Sequence, residues 1–461
     1  MHGVRHTRYG WWLEDAGGVA AAPPLEGPVS ADVAVVGGGY LGMWTAWQVK
    51  QLAPDADVVV LDAGLAGHGP SGRNGGFVST LWDDVEILCD RVGDARALEV
   101  VRASERGVHG IGAFCEAEGV DAWFHAAPTL YVATSDAQIG HFDDAVAACA
   151  AIGAPEEILP LSAEDVRARC DAPQLRGGAI VRTSATVHPA RLSLGLRARL
   201  LSAGVRLFER SAARRVRDGS VETDLGSVRA GHVVLAVNSA TASFPGFRLS
   251  LGVASSHMVV TEPVPDVIEE LGWTGHEPIA DGRTLLHYLR TTDDGRIAFG
   301  WGGGRMGFGG RRLGRLEVDA AAARQTHADL LRFFPQLRGR RIEHAWGGPI
   351  DVSPTHLPIF GSRGRVHHGY GFTGNGVGPS YLGGEILARL ALDRRDELTR
   401  LALVDPDRKL MPPEPLRWLG GSLIREALVR KDRAEDAGSR PDPVSELVAG
   451  LPRRLGLRLP R

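Results

Sequence analysis

Residues 31–64, ADVAVVGGGYLGMWTAWQVKQLAPDADVVVLDAG, decide the fold. Val33 to Val36 is an uninterrupted apolar run, the pattern of a strand buried on both faces. It stops at three glycines, YLGMWTAWQVKQL follows as a helix, and DVVVLDAG follows as a second strand. Strand, glycine turn, helix and strand within roughly 30 residues make one βαβ unit with parallel strands. Gly37, Gly39 and Gly42 spell GxGxxG. The first permits the tight turn, the second lets backbone approach a pyrophosphate, and the third lets helix pack on strand. Tyr40 and Leu41 fall in the same cofactor-binding stretch, where the helix N-terminus presents N–H groups and a positive dipole end to phosphate. Asp62 ends the second strand, twenty residues past Gly42, where an acid binds ribose hydroxyls. The expectation is a dinucleotide whose adenosine ribose lacks a 2′-phosphate.

NAD and FAD both remain open at that point. The next loop, GHGPSGRNGGF, holds Ser71, Gly72, Arg73, Asn74 and Gly75 and is too rich in glycine for a regular element. Small residues there let backbone run beside a pyrophosphate and an extended flavin, which favours FAD. Late in the chain, GYGFTGNGVGPS (369–380) stands directly before a helix. Gly374, Asn375, Gly376 and Val377 would present N–H groups and a positive helix end to the N1–C2=O edge of a flavin, which is negative when reduced.

The remaining pattern is alternating α and β. A polar lead-in ends at Pro28; 83–118 and 136–152 read as helices, PTLYVAT as a strand, and PARLSLGLRARLLSAG as a helix with Pro189 in its first turn. VRLFER, ARRV and a short buried HVVLAVNSA follow; strands dominate 253–299; then come a helix at 320–334, the strand IEHAWGG and the helix VGPSYLGGEILARLAL. Nucleotide-binding motifs thus lie near the start, middle and end, so a second domain is inserted between them. The expected fold is α/β: a discontinuous Rossmann-type FAD-binding domain at 1–90, 176–250 and 350–405. An α+β substrate domain with an antiparallel sheet takes 91–175 and 251–349, and a helical tail takes 406–461.

With 461 residues, two interleaved domains are natural, and 44% apolar with 23% charged residues is ordinary globular composition. The net charge of −3 excludes a nucleic-acid binder, which needs a basic excess. Cys89, Cys115, Cys149 and Cys170 are widely spaced with no CxxC, so neither a metal site nor a disulfide framework is expected. An N-terminus without an apolar signal core and a chain without a long apolar run point to a cytoplasmic protein with no integral membrane segment. The basic end, with Arg453, Arg454, Arg458 and Arg461, reads as a solvated or docking face.

Taken together, WWLED (11–15), ADVAVVGGGYLG, SGRNGG, VHPARL, VVLAVNSAT (233–241), AWGGPIDVSPTHLPIFG (345–361) and GYGFTGNGVGPS resemble the D-amino-acid oxidase superfamily of FAD-dependent oxidoreductases. The bacterial subgroup that includes γ-glutamylputrescine oxidase is the most similar. The resemblance implies non-covalent FAD, with Asp62 on the adenosine ribose and the segment around Ala213 meeting the adenine by backbone. It also implies Asn238 and its neighbours by the pyrophosphate, and Asn375 to Val377 by the isoalloxazine. An amine would be oxidised by hydride transfer to flavin N5, giving an imine that hydrolyses. Electrons would pass to O2 or, in an amino-acid or amine dehydrogenase, to a quinone or partner protein. Some relatives attach the flavin covalently, and His68, just before SGRNGG, is the residue placed for that. His188 in TVHPARL reads as a turn-ordering residue.

The resemblance also locates the substrate site. Relatives that oxidise amino acids carry an arginine clamp for the carboxylate in the segment matching 345–361. Ile350 occupies that position here, followed by Asp351, which is expected to meet a second cationic group or to cap a turn. SSHMVVTEP (255–263) resembles the strand that crosses beside the flavin, bringing His257 near the site. In LLHYLRTTDDGRIAFG, strand alternation puts His287 and Leu289 on one face and Tyr288 and Arg290 on the other. His257, Tyr288 and Asp351 are the candidate catalytic residues, and Arg290 is the candidate substitute clamp.

Overall fold

The computed structural model describes residues 4–407 and 409–454. Helix α1 (Gly10–Asp15) precedes β1 (Gly27–Val36), α2 (Tyr40–Leu52) and β2 (Val58–Leu61). β1 and β2 pair in parallel, Val33 with Val58 through Val36 with Leu61, and these eight positions are all buried, as their apolar side chains require. β1 starts earlier than the expected end of the lead-in at Pro28. Its first half projects from the core with alternating exposure and pairs with 226–230, and Pro28 is tolerated near the strand start.

Two helices read from the sequence are shorter than expected. The 83–118 stretch breaks at Gly93 into α3 (Val85–Val92) and α4 (Asp94–Ala117). In 136–152 only α5 (Asp143–Ala151) is α-helical, after a 3-10 turn at Asp136–Gln138.

Onward, the chain forms β3 (Thr129–Val132), β4 (Gly178–Val181), α6 (Pro189–Ser202), β5 (Arg206–Phe208) and β6 (Gly226–Leu235). There follow β7 (Gly252–Thr261), β8 (Ile279–Asp281), β9 (His287–Thr291), β10 (Ile297–Trp301), α7 (Ala320–Phe333) and β11 (Ile342–Val352). β12 (Val366–Tyr370), α8 (Val377–Ala391) and α9 (Leu416–Asp436) complete the labelled elements. β6 is ten residues long, not short, because its first half extends beside the projecting half of β1.

Two sheets organise the molecule. An eight-stranded sheet has β5, β2, β1, β6 and β12 side by side and parallel, with α2 and α8 packed together on it. A nine-stranded sheet runs β11-β7-β10-β9-β8-β3-β4 through its centre, antiparallel except for the β8–β3 pair. Because β4 pairs with β3 in this sheet, the chain returns toward the parallel sheet after Val181, later than residue 176. One face of the nine-stranded sheet buries Val259, Leu289 and Phe299 against Leu330 and Phe333 of α7. α9 lies beyond, its Arg425 donating to the carbonyls of Gly303 and Gly304 and its Asp436 pairing with Arg283 and Arg332. The basic end past Arg454 falls outside the described residues. Among the described residues, no helix is long and apolar enough to cross a membrane.

Candidate active site between the two sheets

At the C-terminal ends of β1 and β2 the geometry suits a dinucleotide. Gly37 has φ +113°, and a Cβ there would lie 2.3 Å from the Ala236 carbonyl oxygen. A Cβ on Gly42 would lie 1.9 Å from the Gly37 oxygen, so strand, turn and helix meet at backbone distance. Gly39 caps α2 in extended conformation, and the first helical N–H, of Tyr40, donates to Ser71 Oγ at 2.7 Å. Tyr40 sends its hydroxyl to the Pro189 carbonyl, and Leu41 packs against the glycines of β12 and α8. These two therefore offer the site only their backbone. Asp62 accepts from the Gly38 and Gly64 N–H groups at 2.8 and 2.7 Å, and burial raises its carboxyl above the usual range. Ser211, two residues before half-buried Ala213, donates its N–H to the Asp62 carbonyl. The parts assigned to adenosine are thus neighbours.

The loop after β2 is knit by its own side chains. Pro70–Gly72 is a 3-10 turn, Asn74 Nδ2 donates to the Pro70 and Ser71 carbonyls, and Asn74 Oδ1 accepts from the Gly76 N–H. Arg73 turns its guanidinium away, to the Arg8 carbonyl and Glu317. Trp346 Nε1 donates to the Arg73 carbonyl and ties the loop to β11. A Cβ on Gly72 would lie 2.4 Å from the Gly67 carbonyl oxygen and one on Gly75 2.9 Å from the Tyr288 ring, so both buried positions call for glycine.

A second knot joins three distant segments. Asp351, 1% exposed, accepts from the Gly371 and Phe372 N–H groups and from Asn238 Nδ2. Asn238 itself has φ +48° and bonds the next N–H through Oδ1. Asp351 is thus a turn-capping residue, and its carboxylate is not free to meet a substrate cation. Burial still pushes its carboxyl up to about 7. The knot sets the loop before α8, where Gly374, Asn375 and Gly376 are half-buried or exposed and Asn375 Nδ2 donates to the Thr80 carbonyl.

Strand register identifies the sheet face that looks toward these loops. Tyr131, Ala280, Tyr288, Gly300, Met258 and Trp346 stand opposite one another across β3, β8, β9, β10, β7 and β11, so they share a face. The Tyr288 ring bends over Gly300, where any Cβ would sit 2.1 Å from Cζ, and reaches Gly75 of the loop. Its hydroxyl bonds Ser256 Oγ at 2.7 Å, and burial pushes its pKa to about 12. Two residues further along the same face are Ser256 opposite Gly348, then Ala254 opposite Ile350. All four are half-exposed in strands otherwise buried, and nothing lies within 4 Å of a Cβ on Gly348. That opening lies between the nine-stranded sheet and the glycine loops.

His257 is one residue out of phase and lies on the opposite face. Its Nε2 is 3.2 Å from Ser255 Oγ, it lies near Asp319, Arg305 and Arg425, and burial lowers its pKa to about 4. It therefore does not join Tyr288. Arg290 shares the Tyr288 face but is held by backbone: Nη1 donates to the carbonyls of Val187 and Gly76, and Nε to that of Thr291. These bonds anchor the loop, and Nη2 is buried without a hydrogen-bond partner. His287 is sealed between Asp281 and Asp329. His188 caps α6 through Nδ1, as expected.

Three features had no clear signal in the sequence. Ser256 and Gly348 reach the site through register alone. Glu209, fully buried, pairs with Arg197 and accepts from Ala22 and Ala66 N–H groups, fixing the loop after Asp62. Asp83, half-buried, and Asp84, buried, lie just past the flavin loop. Elsewhere His125, His276 and Asp293 come within 4.8 Å, but the two imidazoles stack at 3.8 Å and 9°, so their nitrogens do not converge.

A Rossmann-type half with a glycine-lined trench, roofed by a large antiparallel sheet, defines a dinucleotide-dependent enzyme with its reaction space between the sheets. The family model described as FAD dependent oxidoreductase, DAO, matches residues 32–390, and the chain belongs to that family of FAD-dependent oxidoreductases. It is 26% identical over 398 residues to the gamma-glutamylputrescine oxidoreductase of Escherichia coli K12, covering 84% of this chain and 89% of the relative. Among solved structures, L-proline dehydrogenase from P. horikoshii superposes with a TM-score of 0.66 at 17% identity, over 81% of this chain and 96% of that one. Glycine oxidase from Geobacillus kaustophilus gives 0.65 at 19%, over 80% and 96%. At such identities the two structures speak for the fold alone. The residues fit the cofactor: Gly37 and Gly42 bring strand, turn and helix to backbone distance, and Asp62 stands at the end of β2 beside them.

Proposed function

We propose that this chain oxidises a primary or secondary amine lacking a neighbouring carboxylate. The observation that carries the reading is the open face around Ile350. Where a carboxylate clamp would stand there is an isoleucine, and Arg290 gives Nε and Nη1 to backbone carbonyls. Burying a carboxylate there without a partner would cost several kcal/mol. The relative named for gamma-glutamylputrescine is consistent with an amine substrate.

FAD, when bound, would supply a two-electron acceptor for hydride from the carbon next to nitrogen, and water would hydrolyse the resulting imine. The chain's residues do the holding. Gly37, Gly39, Gly42 and Asp62 would hold the adenosine diphosphate part; Ser71 to Gly75, Asn238 and Gly374 to Val377 would hold the flavin. Tyr288 and Ser256, hydroxyls bonded to each other, form a polar patch on a wall otherwise made by Ala254, Gly348, Ile350 and Trp346. Such a wall orients a neutral amine and limits water, which this chemistry needs more than a strong base. FAD is non-covalent in this reading, since His68 lies among Asp62, Glu209 and Arg197, at the adenosine end. A cytoplasmic setting and O2 as electron acceptor complete the proposal.

The test is anaerobic mixing of yellow holoenzyme with amines and amino acids while flavin absorbance is followed. Bleaching by amines and not by glycine or small D-amino acids is expected; the reverse order would refute the reading. A second reading sends the electrons to a quinone or partner protein. It draws on the exposed row Leu416, Leu419 and Leu423 of α9, with Trp418 against exposed Phe308. One peroxide per turnover would exclude it.

A further inference from the structure

Most buried carboxylates in this chain have a cationic partner: Glu209 has Arg197, Asp281 has His287 and Arg283, Glu317 has Arg73, Asp319 has Arg305, and Glu385 has Arg106. Asp83 and Asp84 depart from that rule. They stand side by side where the chain leaves the flavin loop, and no arginine or lysine among the described residues forms an ion pair with either. Asp83 Oδ2 accepts from the Tyr131 hydroxyl at 2.6 Å, whereas Oδ1 is buried without a partner. Asp84 is 7% exposed and accepts no side-chain hydrogen bond among the described residues. Its one neighbour is His356 Nε2 at 3.5 Å, too long for a good hydrogen bond. His356 brings no charge, since burial lowers its pKa to about 4, and its Nδ1 is buried and unpartnered too.

The location gives the pair its meaning. Tyr131 lies in the same cross-sheet row as Tyr288, two strand spacings or roughly 10 Å away, on the face that looks into the opening. Thr80, three residues before Asp83, holds Asn375 at the entry to α8. His356 lies in the loop that follows β11, five residues past Asp351. The pair therefore lies behind the Tyr131 hydroxyl, between the end of the flavin loop and the loop after β11.

We propose that Asp83 and Asp84 form a subsite for the second, cationic end of a di- or polyamine, whose other nitrogen is oxidised beside Tyr288. The inference rests on the amine-oxidation reading for the second half of that statement only. Burial holds the protons of both carboxyls to about pH 7, with the charge of Asp84 adding to it at Asp83. A bound ammonium supplies the missing charge and donors. It also replaces the role read from sequence for Asp351, which the fold uses elsewhere.

The experiment compares α,ω-diaminooctane, long enough to span the row from Tyr288 past Tyr131, with octylamine on the full-length holoenzyme. Dissociation constants come from ligand-dependent melting temperature, followed by FAD fluorescence, and flavin bleaching is recorded separately. The diamine should bind at least about tenfold more tightly than octylamine, and Asp84→Asn should erase that preference. Asp83→Asn serves the same purpose should the first variant not fold, and glutamine at neither position is needed. Equal binding of the two amines, or a preference that survives both substitutions, would overturn the subsite and assign the pair a purely structural, proton-sharing role. Tight, Asp84-dependent diamine binding without any bleaching would uphold the subsite and sink the oxidation reading instead.

Discussion

Gly42→Ala tests the phosphate turn. The added Cβ would lie 1.9 Å from the Gly37 carbonyl oxygen and 3.0 Å from Val35 Cγ1, both in a buried strand and its turn. The first distance is one that real Cβ atoms essentially never show, so α2 must retreat by roughly an ångström. There is no room behind it. On the opposite side, a Cβ on Gly384 of α8 would already meet Trp44 Cβ at 2.6 Å, so the two helices are in backbone contact. Overpacking of this kind costs about 1–3 kcal/mol. The apoprotein can relax by letting the helix N-terminus tilt, which moves the N–H groups that face phosphate. The strain then appears as lost FAD affinity, about 5- to 150-fold. Apoprotein titrated with FAD while flavin fluorescence is followed measures this directly. Gly348→Ala, which adds a Cβ in open space, is the matched control and should bind FAD like the wild type. Gly42→Ala affinity within twofold of wild type would refute the backbone-contact account of the turn.

Asp351→Asn replaces one of two acceptor oxygens by a donor amid three donors, so it should lower thermal stability and FAD retention by about 1–3 kcal/mol. It should do so without changing the ratio of diamine to monoamine affinity; a selective loss of the diamine would restore Asp351 as a substrate contact. A third expectation concerns pH. Asp83, Asp84, Asp351 and Asp432 are each raised to about 7 by burial, from 3.8. The native state keeps these protons while the unfolded chain releases them, so their contribution is full below about pH 4 and is lost as pH rises toward 7. Buried histidines with lowered pKa, His257, His356 and His367 among them, contribute with the opposite sign. The measurement is therefore the difference between wild-type and Asp84→Asn apoprotein. The wild type should lose melting temperature relative to the variant between about pH 5 and pH 8, and a constant difference would show the Asp84 carboxyl to be ionised in the native state.

The βαβ unit, its glycines and Asp62 were legible because their signal is local: four buried apolar residues, a turn and a helix follow one another without a gap. The late helix entry at Gly374 to Val377 was legible for the same reason. What escaped depends on contacts between segments far apart in the chain. Alternation in β9 correctly put Tyr288 and Arg290 together, yet it could not say that β7 runs with Ser256 opposite Gly348 and His257 facing away. A shift of one residue exchanges the two faces, and nothing local in SSHMVV fixes it. Asp351 illustrates the same limit. Its position at the end of β11 is plain from the motif, but its donors come from residues 238, 371 and 372.

Charge accounting explains why the acidic pair escaped as well. The sequence places Asp83 and Asp84 only at the start of the helical stretch 83–118. In the fold Asp84 is the N-cap residue of α3, yet its side chain makes no capping bond. Instead the chain encloses both carboxylates while spending its many arginines on other buried acids. A buried negative pair without a cation is costly unless protonated or bound to one. Protonation alone would satisfy the energetics but gives no cause for placing the pair beside Tyr131, in the row that ends on the face of Tyr288. A cationic ligand satisfies both the charge and the position, and it accounts for the absence of a carboxylate clamp at Ile350: the site discriminates substrates by their far positive end, not by a carboxylate at the reacting carbon.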